Sequence, residues 1–300
     1  MHRLRWLPVT LLGLAAVLLA VGLAAGGMWR VLAWILMDLL PFAAAPVALV
    51  TLAVAAWKRR LGLATRVTLA VALPLCTILL RTLGWVAIAF PARIEATTPS
   101  VTVRLPSDSP LRVAWGGDAV ATNYHVIDPA QRWAYDLVIE PAFEGSSDLA
   151  AHGCWGTPVL APAAGRVVQA EADHPDHPPG AWSRDFTTVC GNHVALRLAE
   201  TGTYLVLCHL QRESVAVEVG DEIAEGQLLG RCGNSGNTTE PHIHLHHQRQ
   251  APLGQVLIAE GLPLYFRDHG GDPMPTGGFV VEDGSKRCTG QIVQHGGVRR

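Results

Sequence analysis

The chain has 300 residues and a formal net charge of −2. A balance so near neutrality argues against a nucleic-acid partner, which needs a dense field of Lys and Arg. Apolar residues make up 49% and charged residues only 16%. That is poor in charge for a chain wholly in water and points to segments in lipid. All but one of the acidic residues, and all but one of the 13 histidines, fall after residue 90.

Three apolar runs fill the first 90 residues, at about 7–28, 31–57 and 67–90. Each exceeds the roughly 20 residues that cross about 30 Å of hydrocarbon. Three transmembrane helices are expected, forming a membrane anchor over 1–90. A cleaved signal peptide is the rival for the first run, but its apolar stretch is longer than the roughly 7–15 residues usual there. Arg3 and Arg5 precede the first run, and Lys58, Arg59, Arg60 and Arg66 fill the loop between the second and third. The positive-inside rule puts both segments in the cytoplasm. Three spans then carry everything after Phe90 across the membrane. Asp38 and Arg81 interrupt the runs and are costly in lipid, so pairing across helices, packing or snorkelling is expected of them.

Residues 91–110 are rich in Pro, Ser and Thr and read as a linker. The remainder, 111–300, shows short β-type runs between turn residues: LRVAW, AYDLVIE, TPVLA, GRVVQAEA, NHVALRL, TYLVLCHL, QLLGRC and HIHLHHQ. No long stretch has a 3.6-residue period. The pattern predicts one all-β domain, an antiparallel sandwich or barrel. From Leu262 onward one further hairpin with Gly-rich loops is expected, the last dozen residues being disordered. Cys154, Cys190, Cys208, Cys232 and Cys288 lie on the far side, where disulfides are permitted. Five is an odd number, so at least one is left over, and spacing does not say which pairs form.

The stretch TTEPHIHLHHQ, residues 238–248, carries His242, His244, His246 and His247. Alternate residues of a strand share a face, so His242, His244 and His246 line one surface, with Ile243 and Leu245 behind them in the core. Such a row is either a solvated face or a metal or catalytic centre, since His is the commonest metal ligand and titrates near neutrality. A catalytic zinc site takes three protein ligands and keeps a fourth position open. Partners must therefore come from distant segments.

The order of motifs narrows the choice. AYDLVIE at 134–140 is followed by GTPVLAPAAGRV at 156–167, LCHL at 207–210, GDEIAEGQLLGRCGNSGNT at 220–238 and PHIH at 241–244. This series, over about residues 115–248, resembles the M23 family of zinc metallopeptidases, the lysostaphin/LytM-type peptidoglycan endopeptidases. The resemblance implies an all-β LytM-like fold with one Zn²⁺ per domain. It assigns Asp136 and His244 to the metal, and His242 and His209 to catalysis without metal binding. The family's first zinc histidine stands four residues before the aspartate, and that position is Arg132 here. The guanidinium stays protonated and cannot ligate. His125, in NYHVIDPAQRWAYD, is taken as the replacement, with Asp128 and His152 as alternatives. Should none reach the metal, the domain would be a degenerate member.

On this reading zinc lowers the pKa of a water to roughly 7, His242 accepts its proton as general base, and His209, or its protonated form, donates to the oxyanion. His246 has no counterpart in the family's catalysis and is expected to be solvated, a part in supporting the metal ligands being the alternative. Gly156 and Gly165 are expected to permit turns, with Val159 and Val167 in the core. The loop 233–242 rims the presumed cleft. His174 and His177 are expected to be exposed. The function implied is a membrane-anchored zinc metalloendopeptidase cutting peptide cross-links of peptidoglycan, multi-pass in the bacterial cytoplasmic membrane with its peptidase domain on the periplasmic side. The alternatives are an inactive wall-binding or regulatory module that controls another hydrolase, and a peptidase acting on a non-wall protein. No oligomeric state follows from the sequence.

Overall fold

A computed structural model describes residues 6–180, 187–254, 257–282 and 285–296; Arg3, Arg5 and the last four residues lie outside that range. The chain divides into two units, Met1–Pro91 and Ala92–Arg300.

The first unit is helical: α1 (Leu7–Ala25), α2 (Gly27–Met37), α3 (Leu40–Lys58), α4 (Leu63–Cys76) and α5 (Ile78–Thr82). Three helical stretches, Leu7–Ala25, Leu40–Lys58 and Leu63–Thr82, are long and apolar enough to cross a membrane. The second apolar run is thus two helices rather than one, divided at Asp38 and Leu39. The third starts earlier, at Leu63, and stops eight residues short of Phe90. Gly84, at φ +73, supplies the left-handed residue that ends a helix at little steric cost. Asp38 and Arg81 form an ion pair at 2.6 Å. Thr82 Oγ1 donates to Asp38 at 2.8 Å, and the Arg81 guanidinium lies 4.0 Å from the Trp34 ring centre. Pairing removes the cost that either charge alone would carry in an apolar setting.

The second unit is built on an eight-stranded antiparallel sheet. Its strands are β2 (Leu111–Trp115), β3 (Tyr135–Val138), β5 (Gly165–Glu171), β6 (Asn192–Leu198), β7 (Tyr204–Leu210), β8 (Glu222–Ile223), β10 (Ile243–Gln248) and β14 (Ile292–Val293). Their order is β14-β2-β3-β10-β7-β6-β5-β8. Three two-stranded ribbons complete the fold: β1 (Val101–Val103) parallel to β11 (Leu264–Phe266), β4 (Pro158–Leu160) with β9 (Leu228–Arg231), and β12 (Phe279–Glu282) with β13 (Ser285–Cys288). Each of the eight β-type runs of the sequence holds a strand. The all-β architecture follows from short apolar and β-branched runs set between turn residues, and the central strands β3 and β10 are buried along their whole length.

Two expectations need correcting. The segment 91–110 is more than a tether, because β1 lies in it and Val103 and Leu105 are buried in the main core. The last dozen residues are not all without structure, because Ile292 and Val293 pair with Arg112 and Leu111. Val159 and Val167 are core residues as expected. Gly156, at φ +71, makes its turn, whereas Gly165 answers a close approach instead: a Cβ there would come within 2.8 Å of the Arg197 carbonyl oxygen across the sheet. Two disulfides form, Cys154–Cys232 and Cys190–Cys208. Cys76 and Cys288 lie outside both bridges.

Candidate metal centre

The centre of the sheet brings distant residues together by register. On β10, His244 stands opposite Asp136 of β3 on one side and Cys208 of β7 on the other. His242 precedes β10, and His209 follows Cys208 on β7. A 3-10 turn over Tyr124–Ile127 delivers His125 to the same place. Asn123 caps that turn, its side chain accepting from the His125 backbone N–H. The seven residues by which His125 lies further upstream than the expected position are absorbed by this turn and the next. Asp128 Oδ1 closes the second one by accepting from Ala130 N–H at 2.8 Å.

Asp136 Oδ1 is the hub. His244 Nδ1 lies 2.8 Å from it, His242 Nε2 3.4 Å and His125 Nε2 3.5 Å. Tyr124 O–H donates to the other carboxylate oxygen at 3.4 Å. His125, Asp136 and His244 each offer a ligand atom within 4.8 Å of the others. Ligands about 2.0–2.1 Å from a tetrahedral zinc lie about 3.3 Å apart. The observed contacts of 2.8 and 3.5 Å bracket that spacing.

Hydrogen bonds outside the cluster determine which nitrogen of each ring faces it. His125 Nδ1 lies 2.9 Å from Asn123 Oδ1, an acceptor, so the ring's proton sits on Nδ1 and Nε2 is bare. His242 Nδ1–H donates to the Glu240 carbonyl at 2.8 Å, and His209 Nδ1–H to the Ser235 carbonyl at 2.8 Å. Both rings therefore present a bare Nε2 when neutral. His244 Nε2 is engaged with His246 Nδ1 at 3.0 Å, leaving Nδ1 toward Asp136. Lone pairs that approach this closely around a carboxylate call for a positive charge between them. Two neutral imidazoles and one carboxylate are also the donor chemistry of a zinc site with an open position. The residues present fit zinc.

Burial shapes the protonation states. Desolvation lowers the His125 imidazole to about 3 and holds His209 well below its usual range, so both are neutral at pH 7. Burial opposes charge on Asp136, but the rings of His125 and His242 in their protonated forms hold its carboxyl well below the usual carboxylate range. Burial also acts to lower His242, yet the Asp136 carboxylate outweighs it and the imidazole is raised.

The other sequence candidates fall outside the cluster. Asp128 is spent on the turn. His152 Nε2 faces Glu240 Oε2 at 3.4 Å, and its Nδ1 contacts the Asp148 carbonyl at 3.0 Å. Arg132 pairs with Asp118 at 2.8 Å, away from the hub. His174 and His177 are half-buried rather than exposed. His246 departs from expectation most clearly: it is 1% exposed and hydrogen-bonded to a candidate ligand. Sequence reasoning passed over Asn123, Tyr124 and Gln248. An Asn two residues before a candidate ligand, and a Gln two after the last alternating His, were the signals available.

Two cavities of about 290 and 360 Å³ flank the cluster, and Tyr124 and Asn237 line both. The first is walled by Ile127, Val189 and Leu257, the second by Trp115, Phe143 and Glu240.

Residues 144–253 match peptidase family M23, and this part of the chain is an M23 peptidase domain. His209, His242 and His244 fall inside the matched segment; His125 and Asp136 precede it. Among solved structures, the chain is similar to the catalytic domain of the antimicrobial peptidase lysostaphin from Staphylococcus simulans. Identity there is 20%, coverage 50% of this chain and 86% of that one, and the TM-score 0.31. A putative M23 peptidase from Pseudomonas aeruginosa matches at 22% identity over 49% of this chain and 44% of that one, with a TM-score of 0.30. A zinc-containing peptidase from Vibrio cholerae matches at 17% identity over 48% and 37%, with a TM-score of 0.29. The chain thus spans less than half the length of the latter two. No curated protein matches it.

Proposed function

We propose that this protein is a membrane-anchored zinc metalloendopeptidase that hydrolyses peptide bonds of peptidoglycan cross-links on the periplasmic side of the bacterial cytoplasmic membrane. The observation that carries the reading is the convergence of imidazole nitrogens from His125, His242 and His244 on one buried carboxylate oxygen of Asp136. His125, Asp136 and His244 would hold the metal. Zinc bound there supplies a Lewis acid that lowers the pKa of water in its open position to roughly 7.

His242 takes the proton in this scheme. Its bare Nε2 faces the cluster, and the nearby Asp136 carboxylate favours the imidazolium that results. His209 has a different part from the one the family resemblance suggests. Its Nδ1–H is spent on the Ser235 carbonyl, so the neutral ring offers an acceptor and not a donor. We assign it to orienting the attacking water by accepting a hydrogen bond. The flanking cavities align an extended peptide across these groups.

The basic residues between the second and third long apolar helices support a cytoplasmic loop there, and with it an M23 domain on the far side of the membrane. The test uses the full chain in detergent. It should bind about one zinc and release peptides from purified sacculi, and His244→Ala and Asp136→Ala should lose both properties. Variants that digest sacculi at the wild-type rate would end the proposal. A wild-type chain that binds zinc and sacculi without cutting them would support a regulatory module instead.

A further inference from the structure

We propose that His246 and Gln248 are positioning residues that hold the His244 ring in the tautomer needed to ligate a metal through Nδ1. The inference rests on the metal reading of the site but has its own observable. His244, His246 and Gln248 alternate along β10 and so share a face. All three are at most 3% exposed. Cys208 and Val206 of β7 stand opposite His244 and His246 and are themselves buried, which keeps water from competing for the row.

The direction of the hydrogen bonds is set from the far end. Gln248 Nε2 donates to the Gln250 carbonyl at 2.8 Å, which orients the amide. Gln248 Oε1 is then the atom facing His246 Nε2 at 3.0 Å, so that nitrogen carries the proton. His246 Nδ1 is consequently bare and accepts from His244 Nε2–H at 3.0 Å. The His244 proton is thereby placed on Nε2, and Nδ1 presents a lone pair 2.8 Å from Asp136 Oδ1. Reversing the series would let His244 Nδ1–H donate to Asp136 but would turn the Gln248 carbonyl toward the Gln250 carbonyl, two acceptors without a proton between them; in the direction drawn here the facing lone pairs of His244 and Asp136 are the ones a cation takes up. Without the row, nothing in its place would prevent His244 from donating Nδ1–H to Asp136 and closing the metal position with an ordinary hydrogen bond. An imidazole at residue 246 is thus the intermediate link in a polar row ending on a backbone carbonyl.

Two readouts test this on the full chain in detergent. Zinc affinity is measured by chelator competition with Zn²⁺ as the probe. His246→Met fills the volume without a nitrogen acceptor and should weaken zinc binding about 10- to 100-fold, as loss of an outer hydrogen-bond partner does. His246→Gln, which can accept from His244 and donate to Gln248, should stay near wild type and shows that loss in the Met variant is not loss of fold. The second readout is the imidazole ¹⁵N spectrum of histidine-labelled, zinc-free protein. His244 should be protonated at Nε2 in the wild type and shift toward Nδ1 in His246→Met. Wild-type zinc affinity in a folded His246→Met variant, or a His244 proton found on Nδ1 in the wild type, overturns the proposal. If the wild type binds no zinc, the metal reading fails, and the nitrogen spectrum still decides the row by itself.

Discussion

Asn123 Oδ1 lies 2.9 Å from His125 Nδ1, and this contact decides which nitrogen of a buried imidazole faces Asp136. The same side chain caps the turn that carries His125 and donates from Nδ2 to the carbonyls of Gly117 and Ala134. Folding of the loop and presentation of the ligand atom are therefore one event.

Asn123→Ala should accordingly act on both. Loss of the Oδ1 partner should weaken zinc binding about 10- to 100-fold, and the unpaired carbonyls should cost about 1–3 kcal/mol of stability. Asn123→Asp keeps the acceptor and should keep more of the zinc affinity than of the stability. Zinc titration beside chemical denaturation separates the two effects. Equal zinc affinity in all three proteins would remove Asn123 from the site.

The ligand set is open to direct comparison. His125→Ala should lose stoichiometric zinc, whereas Asp128→Ala and His152→Ala should retain it, because those side chains serve a turn and Glu240. Arg132→His should not restore zinc to His125→Ala, since residue 132 points to Asp118 and not to the hub. Metal analysis of the purified variants gives the answer; zinc retained by His125→Ala would refute this ligand set.

The disulfides should be found as Cys154–Cys232 and Cys190–Cys208 by peptide mapping without reduction. They close loops with separations of 78 and 18 residues. The chain-entropy model gives about 4.5 and about 3 kcal/mol for loops of these sizes. Removing Cys154–Cys232 should therefore destabilise the domain more than removing Cys190–Cys208, as judged by denaturation midpoints of the paired Ala variants.

The domain should also lose stability in mild acid through His247. This ring donates Nδ1–H to the Pro263 carbonyl at 3.1 Å and accepts from Thr203 at 2.7 Å, so the fold holds it neutral. Burial lowers its imidazole to about 4. The unfolded chain takes up the proton near pH 6.5, before the folded one does. The stabilisation is thus complete above about pH 6.5 and is lost as pH falls toward 4, about 3 kcal/mol in all. His247→Leu should lower stability at every pH and reduce its pH dependence between about 6.5 and about 4, the remainder coming from buried neutral rings such as His125 and His209. An unchanged slope would assign the acid sensitivity elsewhere.

Much of the fold was legible in the order of residues because short runs rich in apolar and β-branched residues are set off by turn residues. Each of the eight β-type runs became a strand. The helices are uninterrupted apolar stretches, and their ends moved only where Asp38 and Gly84 broke the run. Asp136, His244, His242 and His209 were singled out through the resemblance of the ordered motifs around them to the M23 family. Everything that depended on partners far along the chain had to wait for the tertiary structure. His125, and not Asp128 or His152, lies at the hub because a capped turn carries it there. The cysteine pairs followed from which strands and loops lie together. His246 became part of the centre instead of a solvated face because β10 lies deep in the sheet and Gln248 orients it. The number and kind of the donor groups are local properties of the sequence. Their shared point of aim, and the proton on each ring, are properties of hydrogen bonds between segments that only folding brings within 3 Å.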